Sequence, residues 1–111
     1  MNRDREFLEH ILESILLIEE YTKGITKEKF LGSNALQDMV LRRLEIIGEA
    51  AKNLRPEFKK NHDFIEWKKI AGLRDVIIHN YFGVDLDLTW EIIEKNLIKL
   101  KNDITAIIRE L

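Results

Sequence analysis

Apolar residues recur along this chain at helical spacing. From Asp4 to Lys23, Phe7, Ile11, Ile15 and Ile18 form one stripe, and Leu8, Leu12 and Leu16 run beside it. An apolar arc that wide belongs to a helix touching more than one neighbour. Gly24 suits a helix stop. Thr26 can cap a short helical turn through Phe30, and Gly32-Ser33-Asn34 then breaks and recaps the chain. From Asn34 to Leu54, the residues Leu36, Val40, Leu44, Ile47, Ala51 and Leu54 share a face, and Arg55-Pro56 ends that helix. Gly48 and Ala50-Ala51 are small enough to admit another helix closely. Residues 57–66 read as an irregular connection with one turn of helix. A third helix is expected over Glu66 to Asn80, a turn over Tyr81 to Asp85, and a fourth helix from Asp87 to Leu111. In the last, Ile93, Leu97, Leu100, Ile104, Ile107 and Leu111 repeat as a packing seam. The expected fold is all-α: an antiparallel four-helix bundle with an extra short helical turn, in one domain spanning residues 1–111.

Composition supports helices over strands. Ile and Leu supply 31 residues and Val only three, and a sheet of this size draws more heavily on Val. With no cysteine, the chain has no disulfide, no thiolate metal site and no cysteine nucleophile. No apolar run approaches the roughly 20 residues that cross a bilayer, so no membrane association is expected and the expected location is the cytoplasm. Net charge is −2, unhelpful for a polyanionic partner. The distribution is uneven, however. Residues 42–74 hold nine Lys or Arg against five Asp or Glu, a basic middle between acidic ends.

Three histidines are the candidates for acid–base chemistry. His10 lies among Glu9 and Glu13, and His62 follows Lys59-Lys60-Asn61; both read as surface residues without a partner at ligand or triad spacing. Glu45 and Glu49, four apart, read as ordinary helix-surface carboxylates with no Glu-x-x-His beside them. His79 differs, because Gly72-Leu73-Arg74-Asp75-Val76-Ile77-Ile78-His79-Asn80-Tyr81 sets polar groups into an apolar stretch near a helix end. Arg74 offers a permanent planar charge for phosphate oxygens, and His79 can pass protons near neutral pH. The plainer reading of the same residues is a polar helix C-terminus followed by a packed tyrosine. On an ideal helix, residues five apart are separated by about 140°, so Arg74 and His79 would not share a face within one chain. Asp75 and His79, four apart, would. Convergence of Arg74 and His79 then calls for a distorted helix end or for two chains pooling their residues in a symmetric dimer.

The run from Trp67 through Asp85, with Arg74-x-x-x-x-His79-x-Tyr81 at its centre, resembles the signature of the HepT-like branch of the HEPN superfamily. Arg42-Arg43-Leu44-Glu45-Ile46-Ile47-Gly48-Glu49-Ala50-Ala51-Lys52 resembles the family's other recurrent stretch, and Trp90-Glu91 follows at the usual distance. The resemblance covers nearly the whole chain. It implies the toxin of a toxin–antitoxin pair: a homodimeric, metal-independent endoribonuclease with Arg74 and His79 as catalytic residues and Asp75 and Asn80 in support. It also implies an RNA substrate, no cofactor, and a MntA-like nucleotidyltransferase antitoxin that silences the toxin by placing AMP on Tyr81. The rival reading is a non-catalytic docking subunit for the nucleotidyltransferase, in which Arg74 and His79 bind nucleotide or RNA without cutting it.

Overall fold

The computed structural model describes residues 3–79 and 83–111, the side chains of residues 76–79 excepted. The elements in order are α1 (Asp4–Thr22), α2 (Lys27–Leu31), α3 (Asn34–Asn53), α4 (Pro56–Asn61), α5 (Trp67–Ala71), α6 (Leu73–Ile77), the two-residue strands β1 (Ile78–His79) and β2 (Gly83–Val84), α7 (Leu86–Glu91), a π-helical turn (Ile92–Asn96) and α8 (Leu97–Glu110). The fold is an all-α helical bundle. α1 lies between α3 and α8, and α5 and α6 pack on α3 in the place of the fourth helix.

The core forms where the stripes meet. Leu8, Ile11, Ile15 and Ile18 of α1 are buried against Val40, Leu44, Ile47 and Ala51 of α3 and against Leu100, Ile104 and Ile107 of α8. Burying each of these Val, Leu and Ile side chains contributes about 1.5–3 kcal/mol relative to leaving it in water. The second stripe of α1 is less covered than the sequence suggests: Leu12 is half-buried and Leu16 is 48% exposed.

The punctuation follows the sequence closely. Gly24 takes φ +72°, a conformation open to glycine without strain. The hydroxyls of Thr26 and Ser33 accept from the amides of Lys29 and Leu36, each at 3.2 Å, capping α2 and α3. Pro56 opens α4, where its missing N–H costs nothing. Asp4, at the start of α1, is buried and accepts from the Arg55 backbone amide at 3.1 Å and its Nε at 2.7 Å, fastening α1 to the α3–α4 corner. This carboxylate raises the pKa of Arg55 above the ordinary guanidinium value, chiefly through the side-chain hydrogen bond.

Two expectations are corrected. The third helix does not run unbroken from Glu66 to Asn80. It stops at Gly72, whose amide turns back to the Lys68 carbonyl at 3.1 Å, and resumes as α6 only as far as Ile77. The backbone turns extended at the β-branched Ile78, and β1 pairs antiparallel with β2 in the register Ile78 to Val84 and His79 to Gly83. The fourth helix carries the second correction. Ile92, not Ile93, is buried with Leu97, and Leu111 is 57% exposed. The step from Ile92 to Leu97 is five residues, and the Leu97 amide donates to the Ile92 carbonyl, the i to i+5 bond of a π turn. One extra residue in that turn keeps Thr89, Trp90 and Ile92 on the core side while restoring the seam of α8.

α5 approaches α3 closely at Gly48. A Cβ built there would meet the Ala71 carbonyl oxygen at 3.2 Å and that of Ile70 at 3.5 Å. Gly48→Leu should therefore push α5 away from α3, costing about 1–3 kcal/mol through overpacking against rigid backbone. Thermal unfolding followed by circular dichroism should show Tm lowered by about 5 °C or more.

Candidate functional site

The register of α5–α6 on α3 decides where Arg74 goes. Ala71 lies over Gly48, and three residues further along, Arg74 lies over Glu45, three residues back on α3. The two segments thus cross antiparallel, one helical turn apart at each contact. Arg74 Nε donates to Glu45 Oε1 at 3.2 Å, with the side chains 60% and 40% exposed respectively. Nη1 and Nη2 of Arg74 make no hydrogen bond among the described residues. Their edge of the guanidinium remains available to an anion, which suits a phosphate group bound by two parallel N–H donors.

Asp75 is exposed on the same short helix. The backbone of His79 lies in β1, opposite Gly83, whose φ of +109° only glycine adopts readily. Because α6 ends at Ile77, the helical angle does not govern Arg74 and His79, nor does helical spacing bring Asp75 and His79 together. Asn80, Tyr81 and the His79 side chain lie outside the described residues. On the far side of the motif the chain is fixed again: Asp85 accepts from the Leu88 amide at 2.9 Å, and its carbonyl accepts from the buried Thr89 hydroxyl at 2.7 Å, capping α7. Both flanks of the motif are packed on the bundle, one through Gly48 and one through the buried Thr89 and Trp90.

The basic middle of the sequence is partly neutralised in the fold. Lys52 pairs with Glu49, Lys69 with Glu66 at 2.8 Å, and Arg55 with Asp4 and Glu57. The hydrogen bond between Glu66 and Lys69 raises the lysine pKa above its ordinary value and lowers that of the glutamate. Arg42, Arg43, Lys59, Lys60 and Lys68 make no ion pair among the described residues. Arg42 is exposed on α3 one turn before Glu45, and Lys68 is exposed on α5. An open groove of about 710 Å³ is lined by four carboxylates, Asp85, Asp87, Glu91 and Glu94, and by Lys27 and Lys95, which pair with Asp87 and Glu91. Among the described residues, no three His, Asp or Glu side chains are gathered to hold a metal ion.

Glu45 is the residue that sequence reasoning passed over. Its spacing from Glu49 is that of any solvated helix face, and only the crossing of α6 distinguishes the two carboxylates.

Comparison with known proteins bears on this arrangement. The profile of the family described as Ribonuclease HepT-like matches residues 11–107. A protein of Methanocaldococcus jannaschii, named as a gamma-glutamylcyclotransferase and candidate RNase, is 56% identical over 105 residues, which are 95% of this chain and 47% of the relative. The chain thus spans about half the length of that protein. A candidate RNase of Caldanaerobacter subterraneus subsp. tengcongensis is 43% identical over 110 residues, 99% of this chain and 98% of the relative. A protein of Thermococcus cleftensis named a probable ribonuclease HepT is 45% identical over 97 residues, 87% of this chain and 88% of the relative. No solved structure matches the chain.

Proposed function

Since the chain belongs to the ribonuclease HepT-like family, we propose that it is the toxin of a toxin–antitoxin pair and cuts RNA with Arg74 and His79 at a homodimer interface, without a metal. The observation that carries this reading is the Arg74 guanidinium, exposed inside the family-matched segment and held by Glu45 through Nε with its other edge open. In the proposed reaction the RNA 2′-hydroxyl attacks the adjacent phosphorus. His79 of one chain removes the hydroxyl proton, and His79 of the other protonates the departing 5′-oxygen. Arg74 stabilises the additional negative charge on the pentacoordinate phosphorus. The products are a 2′,3′-cyclic phosphate and a 5′-hydroxyl. Asp75 and Asn80 support the site, and the unpaired Arg42 and Lys68 offset a net charge of −2 where the RNA backbone approaches.

The regulatory half of the proposal is transfer of AMP from ATP to the Tyr81 hydroxyl by a MntA-like nucleotidyltransferase, with release of pyrophosphate. The phosphodiester charge placed two residues from His79 would occupy Arg74 as a substrate phosphate does, and the adenosine would obstruct RNA entry.

Four measurements check this reading. Arg74→Lys and His79→Ala should each lose at least about 100-fold in RNA cleavage, since a point charge cannot reproduce two parallel donors and alanine cannot pass a proton. Cleavage by the unaltered chain should persist in EDTA; dependence on added Mg²⁺ or Mn²⁺ would sink the metal-free mechanism, and RNA binding without cleavage would favour the docking-subunit reading. Light scattering at micromolar concentration should give twice the chain mass, and a monomer would count against a two-chain site. Tyr81→Phe should keep most of its cleavage yet escape silencing by the antitoxin with ATP, and mass spectrometry should find AMP on the Tyr81 peptide of the unaltered chain alone.

A further inference from the structure

Glu45 lies 29 residues before Arg74 in sequence, yet its carboxylate meets the Arg74 Nε at 3.2 Å. We infer that Glu45 is a positioning residue for the phosphate-binding arginine: it holds the Nε edge of Arg74 so that the Nη1–Nη2 edge faces the RNA phosphate. The inference rests on the reading of Arg74 as the phosphate-binding group, and deepens it.

Three observations carry it. First, the pair cannot be explained as a stability device. Both partners are well exposed, at 60% and 40%, and exposed ion pairs contribute little to folding. Second, the contact engages one end of the guanidinium only. A carboxylate bridging both Nη groups would compete with a phosphate for the same donors, whereas a single bond to Nε fixes the plane and leaves the terminal donors to the substrate. Third, the placement is imposed by the backbone. Gly48 brings the Ala71 carbonyl to within close van der Waals range, and that contact sets the register that puts Arg74 over Glu45 and not over Glu49. Glu49 instead pairs with Lys52. An arginine on a five-residue helix has many rotamers open to it. Tying Nε to α3 removes most of them before RNA arrives, so less ordering is left to be done in the transition state.

The same carboxylate is negative and stands beside the proposed phosphate site. Removing its charge should therefore help RNA binding slightly while harming turnover, a split that a structural role does not produce. The test measures kcat and KM on a fluorophore–quencher single-stranded RNA of mixed sequence for the unaltered chain, Glu45→Gln, Arg74→Lys and the double variant. Glu45→Gln should lower kcat about tenfold, with KM unchanged or lower and Tm unchanged. In the Arg74→Lys background there is no Nε to hold, so adding Glu45→Gln should change kcat by less than about twofold. Glu49→Gln, whose carboxylate does not reach α6, should leave both constants as they are. Full kcat in Glu45→Gln, a rise in kcat, or equal losses in both backgrounds would each overturn the positioning role while leaving Arg74 as the phosphate group. Unimpaired cleavage by Arg74→Lys, or no cleavage by the unaltered chain, would instead remove the reading on which the inference rests.

Discussion

With only a hydrogen at residue 48, α3 lets the Ala71 carbonyl oxygen approach to where a Cβ would stand 3.2 Å away, and the rest of the candidate site depends on that approach. α5 is five residues long and α6 another five, too short to be stable helices alone. They persist because they lie on α3, with Trp67 buried and its indole N–H donating to the His62 carbonyl at 3.0 Å. Docked in this register, α6 carries Arg74 to Glu45. Any side chain at residue 48 that moves the backbone of Ile70 and Ala71 would also move the guanidinium, so a packing constraint and a functional geometry share one glycine.

The bundle around this contact is built to keep both flanks of the motif still. The buried Asp4 fastens the start of α1 to Arg55, just where α3 turns into α4. On the other flank, the π turn lets the chain change from the Thr89–Trp90 packing surface to the α8 seam without breaking the helix. Trp90 lies against Phe30 of α2, with ring centroids 5.3 Å apart, which ties the segment after the motif to the segment before α3. The segments before residue 80 and after residue 82 are therefore each packed on the bundle.

Much of the fold was legible in the residues themselves. The apolar stripes of α1, α3 and α8, the caps at Thr26 and Ser33, and the stops at Gly24 and Arg55-Pro56 act within one or two turns of chain, so local pattern suffices to read them. Gly48 announced a close approach by its size alone. What misled was the assumption of an unbroken third helix, since the cap at Gly72 and the β-branched run after it weaken helix only when a neighbouring strand offers the alternative. The π turn was illegible for a related reason: the repeat runs unbroken from Leu97 back to Ile93, so nothing in the spacing marks a one-residue insertion that buries Ile92 instead.

The sequence by itself determined that this chain is helical, where its long helices begin and end, and that Arg74, His79 and Tyr81 fall in one motif resembling a ribonuclease family, because those properties reside in spacing and residue type. Only the tertiary structure decided which of two equivalent carboxylates on α3 meets Arg74, and that α6 ends before His79. The first depends on the register of one segment against another 29 residues away in sequence, fixed by a backbone contact that no local pattern encodes, and the second on the pairing of β1 with β2.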